Sequence, residues 1–344
     1  MKRIKVGVAL SGGVDSASTA IKLKKHYDVT AFFMQLAQPD IAIQIERVTE
    51  IADKIGIPLT VIDLSQQFED QVLKYFCNTY YAGRTPNPCI ICNRKIKFGL
   101  FLDAILSKNM EKAATGHYAR IIENDGIYHL AKGADKRKDQ SYFLARLDQH
   151  QLSKVIFPLG EMTKEETYSF MEHHGFHSFR GNESQDVCFL QHTTVAEFLR
   201  SNSAADNTPG TIINEDGVIL GEHPGIFNFT IGQRRGLGIS DTSPYYVTAL
   251  DAATNTVLVG KNELLLKDHI TLKNLYWATG KPPEMAKQYT VKIRYTHKGS
   301  SASITHIDTN SCLLEFAEPQ RAITPGQFGV IYDNEIVIGC GEIV

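Results

Sequence analysis

Residues 4–10 form a near-continuous apolar run, the pattern of a strand buried on both faces. Ser11-Gly12-Gly13 interrupts it. Residues 14–26 then place Ala17, Ala20, Ile21 and Leu23 along one side, which predicts a helix. A second strand is predicted over 29–34. Ile41, Ile45, Val48, Ala52 and Ile55 recur at intervals of three and four, an amphipathic helix, and Gly56 stands where its C-terminal cap belongs. A strand over 58–63, helices over 68–81 and 94–107 and a short strand over 113–115 complete the first half. Strands alternating with helices predict an α/β fold built on a doubly wound parallel sheet.

Near Arg120 the period changes. Ile121-Ile122 and residues 128–130 flank Asn124-Asp125-Gly126, a hairpin signature. Thr163 with Glu166 reads as a capping box opening a helix that runs to His173. The polar, turn-rich stretch 201–210 reads as a linker, and beyond it short strands and turns predominate. The expected layout is a catalytic domain over 1–200, with 159–185 packing toward the next domain, a small central β-rich domain over 201–262 and a C-terminal β-barrel over 263–344.

Composition narrows the function classes. Apolar residues make up 43% of the 344 and charged residues 22%, which excludes a disordered or fibrous chain. Thirty-six Lys and Arg against 38 Asp and Glu leave a net charge of −2, so an indiscriminate nucleic-acid coat is excluded while a local basic groove is not. No apolar run approaches the roughly 20 residues of a membrane span, and Met1-Lys2-Arg3-Ile4-Lys5 lacks a signal-peptide cleavage site. A cytoplasmic protein with no membrane partner is expected. Six cysteines are too few for a disulfide scaffold of this length. Each is a small core residue or is chemically employed; Cys77, Cys312 and Cys340 lie in regular apolar patterns and are assigned to packing, as is the single Trp277.

Four constellations carry candidate chemistry. Ser11-Gly12-Gly13-Val14-Asp15-Ser16 joins the first strand to its helix. Its glycines let an anion approach the backbone, and the helix N-terminus offers unpaired N–H groups. Asp15 would hold Mg²⁺ or cap the helix. The Gly-Lys-Ser/Thr ending of a P-loop is absent. Second, Asn87-Pro88-Cys89 and Cys92 lie just before a predicted helix and beside Arg84, Arg94 and Lys95, a setting expected to lower a thiol pKa. Cys89 and Cys92 alone read equally as a redox pair, half a metal site or two inert thiols. Third, the polar run Ser184-Gln185-Asp186 leads to Cys188; polar and without apolar anchors, residues 181–186 are expected to be mobile. Fourth, basic and aromatic residues cluster at Lys132, Lys136–Lys138 and Arg234-Arg235, and at Lys292, Arg294 and Tyr295, as an RNA-binding surface would require.

Together these motifs resemble the tRNA-specific 2-thiouridylase family of the N-type ATP pyrophosphatase superfamily, whose fold is the adenine nucleotide alpha-hydrolase-like, PP-loop sheet. The matches run nearly end to end, through Thr115–Tyr118, Lys138–Leu144, the Pro158-Leu159-Gly160 turn, Gly221-Glu222-His223, residues 232–239 and Thr324-Pro325-Gly326-Gln327. The resemblance implies a tRNA-uridine 2-sulfurtransferase. In such enzymes ATP adenylates the C2 oxygen of the wobble uridine, and a cysteine persulfide replaces it, giving 2-thiouridine, AMP and pyrophosphate. Implied partners are the anticodon loops of lysine, glutamate and glutamine tRNAs and a persulfide carrier or cysteine desulfurase as sulfur donor.

Position by position, the resemblance assigns Ala9, Leu10, Ser11, Gly12, Gly13, Val14, Asp15 and Ser16, with Met34 and Gly116, to ATP. Asn87, Pro88 and Cys89 would line the target base. Cys188 would carry the persulfide, and Cys92 would be the partner that attacks, releasing sulfide or closing a disulfide with Cys188. His117, Lys138, Asp139, Gln140, Arg294, Tyr295 and Gln327 would contact tRNA. Two departures stand out. Cys89 occupies a position that is commonly Asp, which leaves the proton-transfer group open and makes an iron–sulfur cluster on Cys89, Cys92 and Cys188 an alternative. Residues 35–45 lack the longer acidic insertion common in the family. An ATP pyrophosphatase acting on a small molecule, or a non-catalytic RNA-binding or redox-sensing protein, are the competing readings.

Overall fold

The computed structural model of the chain describes residues 3–177, 179, 187–190, 193–202 and 208–344. The approach Ser184-Gln185-Asp186, the whole 181–186 stretch and residues 203–207 of the expected linker lie outside the described residues. The chain divides into two compact units: Met1–Val72, Cys89–Gln191 and Glu335–Ile338 form the first, and Leu73–Pro88, His192–Asn334 and Gly339–Val344 the second.

In the first unit, apolar runs become five parallel strands. β1 (Lys5–Ala9), β2 (Asp28–Gln35), β3 (Leu59–Asp63), β4 (Lys112–Ala114) and β7 (Val155–Ile156) stand in the order β3-β2-β1-β4-β7. Val6 and Val8 of the central strand are wholly buried, and each such side chain contributes about 1.5–3 kcal/mol. The helices α1 (Val14–Lys24) and α2 (Ile41–Ile55) cover it with Ala17, Ala20, Val48 and Ala52. Gly56 ends α2 with φ 72°, a left-handed cap a side chain would strain. The chain winds outward through β2 and β3 on one side of β1 and resumes through β4 on the other. The carboxyl ends of β1 and β4 therefore flank the switch point, where sheets of this kind open a ligand crevice.

The hairpin forms as expected. β5 (Ala119–Asn124) and β6 (Ile127–Lys132) pair across Asp125 and Gly126, both at positive φ, the backbone a two-residue turn requires. Thr163 and Glu166 form a reciprocal capping box on α3 (Lys164–His173).

Helical boundaries are wider than the sequence pattern predicts. The segment predicted over 68–81 begins at Ser65, and the one predicted from Arg94 begins at Pro88, so both cysteines of Cys89-Ile90-Ile91-Cys92 are helical. Proline suits a first helical turn because its missing N–H would be unpaired there anyway. Wide π-type turns and the non-helical Gly99 then bend this stretch before Ser107.

The second unit contains a four-stranded sheet and a barrel. The sheet places β8 (Gly210–Ile213) between β9 (Ile219–His223) and β11 (Thr256–Gly260), with β10 (Tyr246–Asp251) outermost, over a core of Ile212, Val247, Val257 and Val259. The barrel strands are β12 (Leu266–Trp277), β13 (Gln288–Lys292), β14 (Ser300–Ile307), β15 (Ser311–Arg321), β16 (Phe328–Asp333) and β17 (Ile336–Ile343), closed by antiparallel pairing of β12 with β17. Closure leaves no exposed edge among them. Cys312 and Cys340 are buried here and Cys77 is buried in its helix, so all three pack as expected. Trp277 is only half-buried, laid against Gly339. Among the described residues, no helix is long and apolar enough to cross a membrane.

Candidate nucleotide and thiol site

The loop after β1 is built to present backbone donors. Gly12 takes φ +80°, turning the chain sharply. Gly13 is the N-cap of α1 and supplies no side-chain cap, so the first-turn N–H groups keep their capacity for an anion. Ser16 folds back instead: its hydroxyl donates to Gly13 O at 2.9 Å and accepts from Ser11 N at 3.1 Å, which holds the loop's shape. Leu10 continues the sheet through its N–H to Phe32 O, and Met34, two residues beyond Phe32 near the end of β2, is half-buried.

Gly116, at the carboxyl end of β4, completes the crevice by close approach. A Cβ there would stand 2.7 Å from the Asp15 carbonyl carbon. The Asp15 carboxylate is hydrogen-bonded at both oxygens. Lys164 Nζ donates to both oxygens at 2.8 Å, and Tyr118 Oη donates to Oδ1 at 2.8 Å while lying 2.9 Å from Thr167 Oγ1. Lys164 is the first residue of α3, and its own N–H donates to Asp135 Oδ2 at 3.0 Å. Asp15 thus does not cap α1 by a side-chain bond; its carboxylate is bound to Lys164 and Tyr118 instead.

Cys89, Cys92 and Cys188 come together although distant in sequence. Cys92 feels the charge of both other thiols, and all three feel Lys97. The expected lowered thiol pKa is not what the fold produces. Burial pushes Cys89 up to about 11 and Cys92 up to about 12, and the Cys188 thiol is also raised by the atoms crowding its sulfur, although the residue as a whole is exposed. The cations expected to help are committed elsewhere. Arg84 pairs with Glu342 at 2.9 Å, Arg94 with Asp148 at 2.8 Å, and Lys95 is exposed. Lys97 is the cation that favours all three thiolates, and backbone N–H groups at Cys188 and Phe189 also favour that of Cys188. Among the described residues, no three His, Cys, Asp or Glu side chains converge as metal ligands, so the cysteine set does not fit an iron–sulfur cluster as it stands.

The residues expected to meet RNA divide sharply. Lys138 is half-buried at the surface. Asp139 turns inward, accepting from Gly133 N, Ser141 N and Ser141 Oγ at 3.0–3.1 Å. Gln140 Oε1 accepts from Tyr118 N at 3.0 Å, so this pair of side chains holds the fold. His117 packs at a tilt against Phe98 and edge-on against Phe157, bonds Thr115 Oγ1 at 2.7 Å, and is kept neutral by burial, its pKa well below the usual imidazole value. It cannot neutralise a phosphate there. In the second unit Arg294 and Tyr295 are partly exposed, with Lys292 Nζ 5.5 Å from the Tyr295 ring centre. Asn87 and Pro88 are buried. Gln327 spends its amide on the carbonyls of Thr85 and Pro86.

Three family models match in succession: a tRNA methyl transferase HUP domain over residues 4–192, a tRNA methyl transferase PRC-barrel domain over 196–261 and an aminomethyltransferase beta-barrel domain over 267–343. The tRNA-specific 2-thiouridylase MnmA of Desulfotalea psychrophila is 50% identical over 338 residues, 98% of each chain. The chain belongs to the tRNA-specific 2-thiouridylase family. Its relative from Syntrophotalea carbinolica is 41% identical across 98% of this chain and 97% of that one, and the one from Nitrosomonas europaea 39% identical across 100% and 99%.

For a 2-thiouridylase the role assignments made from sequence leave out three side chains that the fold places at the loop: Lys164, Thr167 and Tyr118, the last of them within the Thr115–Tyr118 motif but given no role there. Only the capping box pointed toward Lys164, by fixing where α3 starts. Nothing in the local sequence links it to Asp15, which lies in a different βα unit.

Proposed function

We propose that this chain is a tRNA-uridine 2-sulfurtransferase acting in the cytoplasm, where ATP, unmodified tRNA and reduced thiols occur together. The observation that carries the reading is the joint one. A phosphate-ready loop sits at the switch point, and in the same unit a thiol pair far apart in sequence shares one lysine. The N–H groups of the loop over Ser11–Ser16 receive the ATP phosphates, with Gly116 keeping the floor of the crevice clear and Met34 near the adenosine. Adenylation of the wobble uridine at its C2 oxygen expels pyrophosphate and creates a leaving group.

Cys188 carries the transferable sulfur as a persulfide received from a carrier or a cysteine desulfurase. The terminal sulfur attacks C2 and AMP departs. Cys92 then attacks the Cys188 sulfur, a disulfide forms between the two, and the sulfur stays on the base. An external thiol reduces that disulfide for the next turnover. Because burial keeps Cys92 protonated at neutral pH, Lys97 is the group that stabilises its thiolate when it acts. Asp15 is held by Lys164 and Tyr118, and no step here runs through magnesium or a cluster. The tRNAs for lysine, glutamate and glutamine are the expected substrates.

The test is incubation with ATP, a persulfide donor and unmodified tRNA, followed by nucleoside analysis. The expected product is 2-thiouridine, lost in Cys188→Ser while ATP binding persists. Thiolation surviving in that variant sinks the relay. ATP consumption without tRNA would point to a small-molecule substrate instead.

A further inference from the structure

The stretch Arg84–Pro88 cannot fix itself. Pro86 and Pro88 lack N–H groups, so the carbonyls around them need donors from elsewhere. The turn over Thr324–Gln327 supplies them. Gln327 Nε2 donates to Thr85 O at 3.1 Å and to Pro86 O at 3.0 Å, which uses both amide hydrogens. Thr85 N donates to Pro325 O at 2.9 Å. Gly326 sits at φ +90°, and a Cβ on it would stand 2.7 Å from Thr85 O, so only glycine lets the two backbones come this close. The turn is itself pinned to the barrel: Gly326 N donates to Ile343 O at 2.9 Å, and Ile343 N to Gln327 O at 2.8 Å.

We propose that Gln327 is a positioning residue for the Thr85–Pro88 stretch, and through it for the helix start that carries Cys89 and Cys92. An amide is the side chain the task needs. Its nitrogen offers two hydrogens to two consecutive carbonyls, and glutamate, with acceptors only, would repel both. The proposal gives a mechanistic use to thiols that matter only under the thiolation reading, but its test needs no RNA.

Full-length protein without tRNA is treated with iodoacetamide, and alkylation rates are read cysteine by cysteine by mass spectrometry. Gln327→Glu and the neutral, similarly sized Gln327→Met should both speed alkylation of Cys89 and Cys92. The expected rise is about two- to tenfold, the effect of a lost hydrogen bond or two. Cys312 and Cys340, in the barrel core, should not change. Unchanged rates at Cys89 and Cys92 in both variants would overturn the proposal. An equal rise at all four cysteines in both variants would also overturn it, because the role would then be general stability. A failed tRNA thiolation assay leaves these rates untouched, so the two readings fail separately.

Discussion

The loop after β1 and the three cysteines belong to the same unit, yet the fold treats them in opposite ways. The loop is ready as it stands. Its glycine geometry is set, Ser16 holds its shape from within, and its N-terminal donors carry no side-chain cap. The thiols are gathered but restrained. Burial raises all three, neighbouring thiolates add to the rise at Cys89 and Cys92, and the positive charge of Lys97 opposes it at each. Anion binding rests on backbone dipoles that local sequence can orient. Thiol activation rests on desolvation and on which cations remain uncommitted, and both depend on the whole fold. A restrained thiol set also suits sulfur transfer, since reactive thiolates would oxidise or discharge persulfide idly between turnovers.

The largest expected effect lies on the ready side. Gly116→Ala drives a methyl into the Asp15 backbone, an overpacking cost of about 1–3 kcal/mol that falls on the nucleotide loop. Isothermal titration should show ATP affinity reduced about ten- to a hundredfold, with thiol alkylation unaffected. Normal ATP affinity would remove Gly116 from the site.

On the restrained side, Lys97→Met withdraws the one cation that favours the thiolates. All three thiol pKa values then rise further, so less thiolate exists at any pH below them. Each unit of rise slows alkylation about tenfold at fixed pH. The pH–rate profile of Cys92 should climb throughout the neutral and mildly alkaline range in the wild type and lie lower in the variant. An unshifted profile would mean Lys97 does not govern the thiols.

The smallest effect separates a structural cap from a site residue. Thr163→Ala breaks the capping box of α3, which should cost about 0.5–2 kcal/mol in stability by thermal or urea unfolding. ATP affinity should change less than tenfold, because Lys164 is held independently by Asp15 and Asp135. A larger loss of ATP affinity would show that the cap, not the ion pair, sets the position of Lys164.

Much of the fold was legible because period and turn chemistry are local. The buried strands, the amphipathic α2 with its Gly56 cap, the Asp125-Gly126 turn and the Thr163–Glu166 box each occur where the residue pattern predicts. The start of the helix at Pro88 was not legible, since two prolines and a Cys-x-x-Cys spacing read as a loop. The nearness of Lys164 to Asp15 was hidden as well, because it comes from the packing of α3 against α1. Asp139 and Gln140 illustrate the same limit. Their residue types suit RNA, but their side chains close hydrogen bonds to Gly133, Ser141 and Tyr118.

By itself the sequence determined the alternation of strand and helix, the glycine loop at the end of the first strand, and the family. Those follow from residue type at fixed spacing, where backbone geometry and covalent chemistry act over a few residues. Only the tertiary structure decided that burial raises the thiols instead of basic neighbours lowering them, that Arg84 and Arg94 are bound to Glu342 and Asp148 instead of serving them, and that Asp15 is matched with Lys164. Desolvation and ion pairing depend on what lies across space, and one-dimensional spacing does not encode that.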